Sequence, residues 1–308
     1  MGFSCGIVGL PNVGKSTIFS ALSSAKAEVA NYPFCTIEPN QGIVFVPDPR
    51  LKAITQFIKP QKIIPAQIQF WDIAGLVKGA SKGEGLGNQF LSHIRQTDAI
   101  IHVVRCFEDS NITHVSGKVD PVSDIETIET ELMLADLDSL SKKYNHLEKT
   151  AKSGDKEAAA QFPVVKIVKE GLEKGIPSRK TLANLDENSL KQIQSFHLLT
   201  SKKVLYAANL DEDNIANPEA NPHYQRVLEY AKKEGSEVVP ICGKIESELA
   251  EMNEEERADF LKELGIAESG LHILIRKGYY LLGLQTYFTA GEKEVRAWTI
   301  LKLSLIHI

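Results

Sequence analysis

At 308 residues, 43% of them apolar, the chain can hold about two domains around a sizeable core and is not a disordered polymer. A net charge of -5 excludes attachment to nucleic acid by bulk positive charge, although a local basic patch stays open. The four cysteines, Cys5, Cys35, Cys106 and Cys242, show no C-x-x-C spacing, which argues against a structural zinc site or a disulfide framework. No run approaches the ~18 apolar residues needed to span a bilayer, and Met1-Gly2-Phe3-Ser4 opens no leader segment. A reduced cytoplasmic protein with no membrane partner is expected.

The apolar run Phe3 to Val8 predicts a strand, and Ile18 to Lys26 reads as a helix. Between them stands Gly9-Leu10-Pro11-Asn12-Val13-Gly14-Lys15-Ser16-Thr17, which fits the phosphate-binding pattern G-x-x-x-x-G-K-[ST] in its strand-loop-helix context. Gly9 and Gly14 let the backbone wrap a phosphate chain and present successive N–H donors where a Cβ would intrude. Lys15 is placed to reach the outer phosphates and assist their transfer, and the Ser16 hydroxyl to ligate Mg²⁺.

The loop Asn31 to Asn40, with Pro33 and Pro39, is of the kind that closes over an outer phosphate, and its Thr36 is the candidate to complete the Mg²⁺ shell. Cys35 beside it reads as an inert thiol. A short strand, Gly42 to Val46, precedes a second, Ala66 to Phe70, which runs into Trp71-Asp72-Ile73-Ala74-Gly75. Asp72 would hold Mg²⁺ or its water, and the Gly75 N–H would sense the outer phosphate. The stretch holding Gly79, Gly83, Gly85 and Gly87 is too glycine-dense for a stable helix and is expected to be ordered by nucleotide. Leu76 stands where many GTPases carry a water-orienting glutamine, so another group must position the water. His114, in the loop Phe107 to Asp120 after the strand Ala99 to Cys106, is one candidate; by itself a loop histidine reads as solvated. A monovalent cation held by Asn12, such as K⁺, is another.

From Asp124 the period changes. Ile125, Ile128, Leu132, Ala135, Leu137, Leu140, Tyr144 and Leu147 form an amphipathic stripe, and Phe162, Val165, Val168 and Leu172 a second, with Ala151 to Gln161 read as the tip between them. Residues 123–200 are therefore expected to form a helical arm, whose Lys142, Lys143, Lys149, Lys152 and Lys156 could meet an RNA backbone or simply line a solvated face. The strand Lys203 to Ala208 ends in Asn209-Leu210-Asp211-Glu212, where GTPases carry N-K-x-D. Leu210 replaces the lysine, and the longer carboxylate of Glu212 cannot make the paired contact to guanine without shifting the base, so discrimination against adenine weakens.

Glu237 to Ile241 is the last core strand, followed by Cys242-Gly243-Lys244, a small-residue loop set against the base, and a helix over Glu248 to Leu264. This order predicts an α/β fold with a mostly parallel sheet and helices on both faces, interrupted by the arm. Thr286 to Gly291 and Val295 to Ile300 read as a β-hairpin opening a further unit too short for its own core.

Four segments carry a resemblance to the YchF/Obg-like ATPase family, within the Obg-related translation-factor GTPases: Gly9 to Thr17, Tyr32 to Asn40, Asp72 to Ala80, and Asn209 to Glu212. The resemblance implies a P-loop nucleotide domain over 1–122 and 201–278, a coiled-coil arm over 123–200, and the start of a TGS domain over 279–308. It also implies a monomer that hydrolyses ATP in preference to GTP with Mg²⁺ and associates with ribosomes and ribosomal RNA. Phosphate contacts then fall to Asn12, Val13, Gly14, Lys15, Ser16 and Thr17, and Mg²⁺ to Ser16 and Thr36. Base contacts fall to Leu210 and its neighbours Asn209, Glu212 and Gly243, and His114 resembles the family's proposed catalytic histidine. Leu301 to Ile308 does not resemble the family's continuation, which points to a truncated TGS domain. Two rivals remain: a guanine-specific GTPase, and a nucleotide-gated binding module in which hydrolysis is incidental.

Overall fold

A computed structural model of the chain describes residues 3–24, 40–73 and 86–304. Strand β1 (Ser4–Val8) and helix α1 (Lys15–Ser24) flank the glycine loop, followed by β2 (Gln41–Phe45), α2 (Pro49–Phe57), β3 (Lys62–Ile64) and β4 (Gln67–Asp72). Next come α3 (Leu86–Gln96), β5 (Ala99–Arg105), α4 (Pro121–Lys152), α5 (Lys156–Glu173), α6 (Ser178–Leu182) and α7 (Glu187–Gln194). The chain then runs through β6 (Lys203–Asn209), α8 (Pro222–Glu234), β7 (Glu237–Ile241), α9 (Gly243–Glu251), α10 (Glu254–Glu263), α11 (Gly270–Leu281), β8 (Leu284–Ala290) and β9 (Glu294–Leu301).

Six strands form one sheet in the order β2-β4-β1-β5-β6-β7. β1 runs parallel to β4 and β5, and β6 parallel to β7, whereas β2 closes one edge antiparallel to β4. Every residue of β1 and β5 is buried, as expected of parallel strands covered on both faces, while β2 alternates. This is the expected α/β architecture, and it gathers the loops after β1, β5, β6 and β7, with the end of β4, at the carboxyl ends of the strands, where such folds bind ligands. Close contact at β1 requires glycine: a Cβ on Gly6 would lie 2.6 Å from the Ile73 side chain, and one on Gly9 2.8 Å from the Val103 carbonyl oxygen.

The described residues fall into two compact units. The first, over 3–24, 40–73, 97–122 and 204–304, contains the six-stranded sheet. It also holds a second sheet in which β9 pairs antiparallel with β8 and parallel with the three-residue β3. The C-terminal hairpin thus borrows a strand from between α2 and β4. The second unit takes 86–96 and 123–203. Its core joins Leu140 and Leu147 of α4 to Val165, Val168 and Leu172 of α5 and to Ile193 and Phe196. Asp136, fully buried, accepts hydrogen bonds from the Leu199 and Thr200 amides at 2.8 Å each and from the Thr200 hydroxyl at 2.7 Å.

Two local expectations are corrected. The tip expected over Ala151 to Gln161 is confined to residues 153–155: α4 continues to Lys152, and Asp155 caps α5 by accepting from the Ala158 amide at 2.8 Å, so the alanines are helical. The single helix expected over Glu248 to Leu264 breaks at Met252, because Asn253 and Glu256 form a reciprocal capping box that starts α10. Residues ahead of the hairpin form α11, started by the Ser269 hydroxyl and closed by Gly283 at φ 74°.

Candidate nucleotide site

The phosphate loop has two residues in the left-handed region, Asn12 at φ 64° and Gly14 at φ 89°. Asparagine tolerates that conformation; Gly14 is required on both counts, since a Cβ there would stand 2.1 Å from Asn209 Nδ2. Beyond the loop, α1 begins at Lys15, and the Ile18 amide bonds back to the Gly14 carbonyl at 3.0 Å. The first N–H groups of the helix therefore have no acceptor of their own within it, a ready cradle for anionic oxygens beside the positive end of the dipole.

Lys15 is buried, and its ammonium pairs with the Asp72 carboxylate at the end of β4. Each charge compensates the other in a largely dehydrated cleft, where a lone one would be costly. Ser16 and Thr17 are exposed at the mouth of the cradle. The Ser16 hydroxyl and the Asp72 carboxylate are the hard oxygen donors that Mg²⁺ prefers, so the residues present fit that ion. Thr36 and Gly75, the other predicted members of this set, lie outside the described residues, as do Cys35 and Leu76.

The base side is built at the ends of β6 and β7. The buried Asn209 donates from Nδ2 to the Val13 carbonyl at 2.9 Å and accepts at Oδ1 from the Gly243 amide at 3.0 Å. A single amide thereby ties the phosphate loop to the small-residue loop that opens α9. Gly243 sits against Thr17, Ile18 and Asn209. Leu210 is buried, its amide held by the Ile241 carbonyl at 2.8 Å. Glu212 is met by Lys244, carboxylate to ammonium, at 2.6 Å. The sequence placed Lys244 beside the base but gave it no role; in the first turn of α9 it is the partner of Glu212. Cys242 is buried, and loss of hydration pushes its thiol above the usual range, so it is inert packing for the loop.

His114 is not the solvated loop histidine its sequence context suggested; it is buried. Its Nδ1 accepts from the Ser116 amide at 3.2 Å and faces the Ser116 hydroxyl at 3.1 Å. An amide can only donate, so the neutral ring carries its proton on Nε2. The preceding residue is fastened to the phosphate loop: Asn12 Nδ2 donates to the Thr113 carbonyl at 3.1 Å. The structure thus gathers Asn12, Val13, Gly14, Lys15, Asp72, Thr113, Asn209 and Gly243 around one cleft. The arm lysines are largely engaged elsewhere: Lys142 pairs with Asp138, Lys152 with Glu148, and Lys143 lies over the Phe196 ring at 4.2 Å. No helix among the described residues is long and apolar enough to cross a membrane.

Residues 4–137 match a family described as 50S ribosome-binding GTPase. A Bacillus subtilis protein, ribosome-binding ATPase YchF, is 57% identical over 302 residues, covering 98% of this chain and 82% of that protein. Its Haemophilus influenzae namesake is 58% identical over 300 residues, covering 97% of this chain and 81% of that one. Among solved structures, the YchF GTPase of Schizosaccharomyces pombe superposes with a TM-score of 0.86 at 38% identity, covering 98% of this chain and 81% of that chain.

Proposed function

Because this chain belongs to the YchF family of P-loop nucleoside triphosphatases, we propose that it hydrolyses ATP in preference to GTP while associated with ribosomes in the cytoplasm. The observation that carries the base preference is the pairing of Glu212 with Lys244 beside the buried Leu210. A carboxylate already satisfied by an ammonium is a poor acceptor for the two donors on guanine's edge, so guanine loses the contact by which GTPases select it. Relatives are named both ATPase and GTPase, so the base is the point to test.

In this reading the N–H groups from Val13 to Thr17 hold the phosphates, and Lys15 turns from Asp72 to the phosphoryl oxygens, where negative charge develops. His114, its Nδ1 already engaged by Ser116, is the candidate to orient the attacking water. Ser16 and Asp72, with Thr36 as the third candidate, would hold Mg²⁺, which would supply neutralisation of the phosphate charge, and Asn12 is the candidate to hold a companion K⁺. The protein acts as a monomer, with a nucleotide domain over 1–122 and 201–278, an arm over 123–200 that meets ribosomal RNA, and the start of a TGS domain over 279–308. Calorimetry with ATP and GTP in the presence of Mg²⁺ tests the proposal: ATP is expected to bind at least about fivefold more tightly. Tighter binding of GTP would end this account of Glu212.

A further inference from the structure

The loop that carries His114 is shaped by a buried cation. Arg105, the last residue of β5, is 1% exposed. Its guanidinium donates to three main-chain carbonyls of the following loop: Nε to Phe107 at 3.1 Å, Nη2 to Asp109 at 3.2 Å and Nη1 to Ile112 at 3.0 Å. The same group lies over the Phe107 ring, 4.5 Å from its centre. The Asp109 carbonyl also accepts from the Ile112 amide at 3.3 Å, so the cation closes a turn the backbone itself has begun. One residue further on, the Thr113 carbonyl is held by Asn12 of the phosphate loop, and His114 follows.

Packing alone does not account for an arginine here. Burying a guanidinium costs more than burying an aliphatic chain of similar volume, and an apolar residue would fill a strand end as well. What the planar fork of donors adds is a fixed relation among three carbonyls that no neutral side chain spans. Resting on the reading in which His114 orients the attacking water, we propose that Arg105 is a positioning residue for hydrolysis. It sets the path of residues 107–113, and through them where His114 stands relative to the phosphates, without touching nucleotide itself.

Arg105→Lys keeps the charge but loses the fork, and is compared with His114→Ala and with the double variant by single-turnover ATP hydrolysis, ATP affinity and thermal melting. Arg105→Lys is expected to lower the hydrolysis rate by about ten- to a hundredfold, with ATP affinity within about threefold of the parent. On the His114→Ala background the same change should cost less than about twofold, because its effect is already spent. A full loss on that background, or affinity falling in step with rate, overturns the role of Arg105 and leaves that of His114 intact. Full turnover in His114→Ala alone overturns both. Should Arg105→Lys lose its cooperative melt, Phe107→Leu removes the ring beneath the guanidinium; a rate drop of about two- to fivefold at unchanged affinity supports the proposal, and an unchanged rate refutes it.

Discussion

At the phosphate end of the cleft, Lys15 and Asp72 leave 9% and 18% of their side chains open to solvent, and Asn209 has both halves of its amide engaged in the interior. At the base end, Lys244 and Glu212 meet with 66% and 44% of their side chains open. Dehydrated polar contacts are expensive to break, because each leaves a partner stranded, whereas an ion pair in water is worth little. In the proposed reading the comparison separates two jobs: the Asn209 tie keeps the inner loops in place while Lys15 changes partner, and the outer pair tilts a choice between two bases of nearly equal size.

The sharpest way to break that contrast is at Gly14. Gly14→Ala puts a Cβ into the Asn209 amide at a positive φ, and is expected to destabilise the fold by about 3 kcal/mol and to abolish measurable ATP binding. Native-like melting with normal affinity would show that the loop yields more easily than its contacts imply. Asn209→Ala strands the Val13 carbonyl and the Gly243 amide, for an expected loss of about 2 kcal/mol in denaturant midpoint measurements. Both nucleotides should weaken together, since the tie serves loop shape and not base identity. A change confined to one nucleotide would instead make Asn209 a selector. Lys244→Met frees the Glu212 carboxylate and should move the ratio of ATP to GTP affinity about two- to fivefold toward GTP, with little change in melting temperature. An unmoved ratio would transfer selectivity to Leu210 and the backbone. The arm carries open ion pairs of the same kind, and Lys142→Ala, at a side chain 75% open, should alter stability by less than about 0.5 kcal/mol.

What could be read from the chain follows from how local each signal is. The phosphate loop was legible because Gly9, Gly14 and Lys15 declare a backbone path within a few residues, and β5 and β6 because strands buried along all or nearly all of their length write mostly apolar runs. The break at Asn253 was present as a capping residue but was outweighed by helical composition on either side, whereas the one at Asp155 fell inside the expected tip, whose alanines hid how soon α5 begins. The roles of Arg105 and Lys244 were not legible, since what defines them is the carbonyls and the carboxylate they meet, and spacing along the chain does not encode those partners. The burial of His114 was hidden for the same reason: its polar loop reads as surface until Arg105 and Asn12 draw it inward.

The short strand β3 has a consequence for the order in which the molecule can be completed. Lys62 lies opposite Glu294 and Ile64 opposite Arg296, so these pairings join residues roughly 230 positions apart. During synthesis the early segment must wait, with its edge uncovered, until nearly all the rest of the described chain has been made. Ring closure of that size is slow, and an uncovered edge in the meantime invites the wrong neighbour. The C-terminal hairpin therefore acts as a late clasp on the nucleotide-binding unit, and its removal should lengthen the time that unit spends open to aggregation more than it alters the finished cleft.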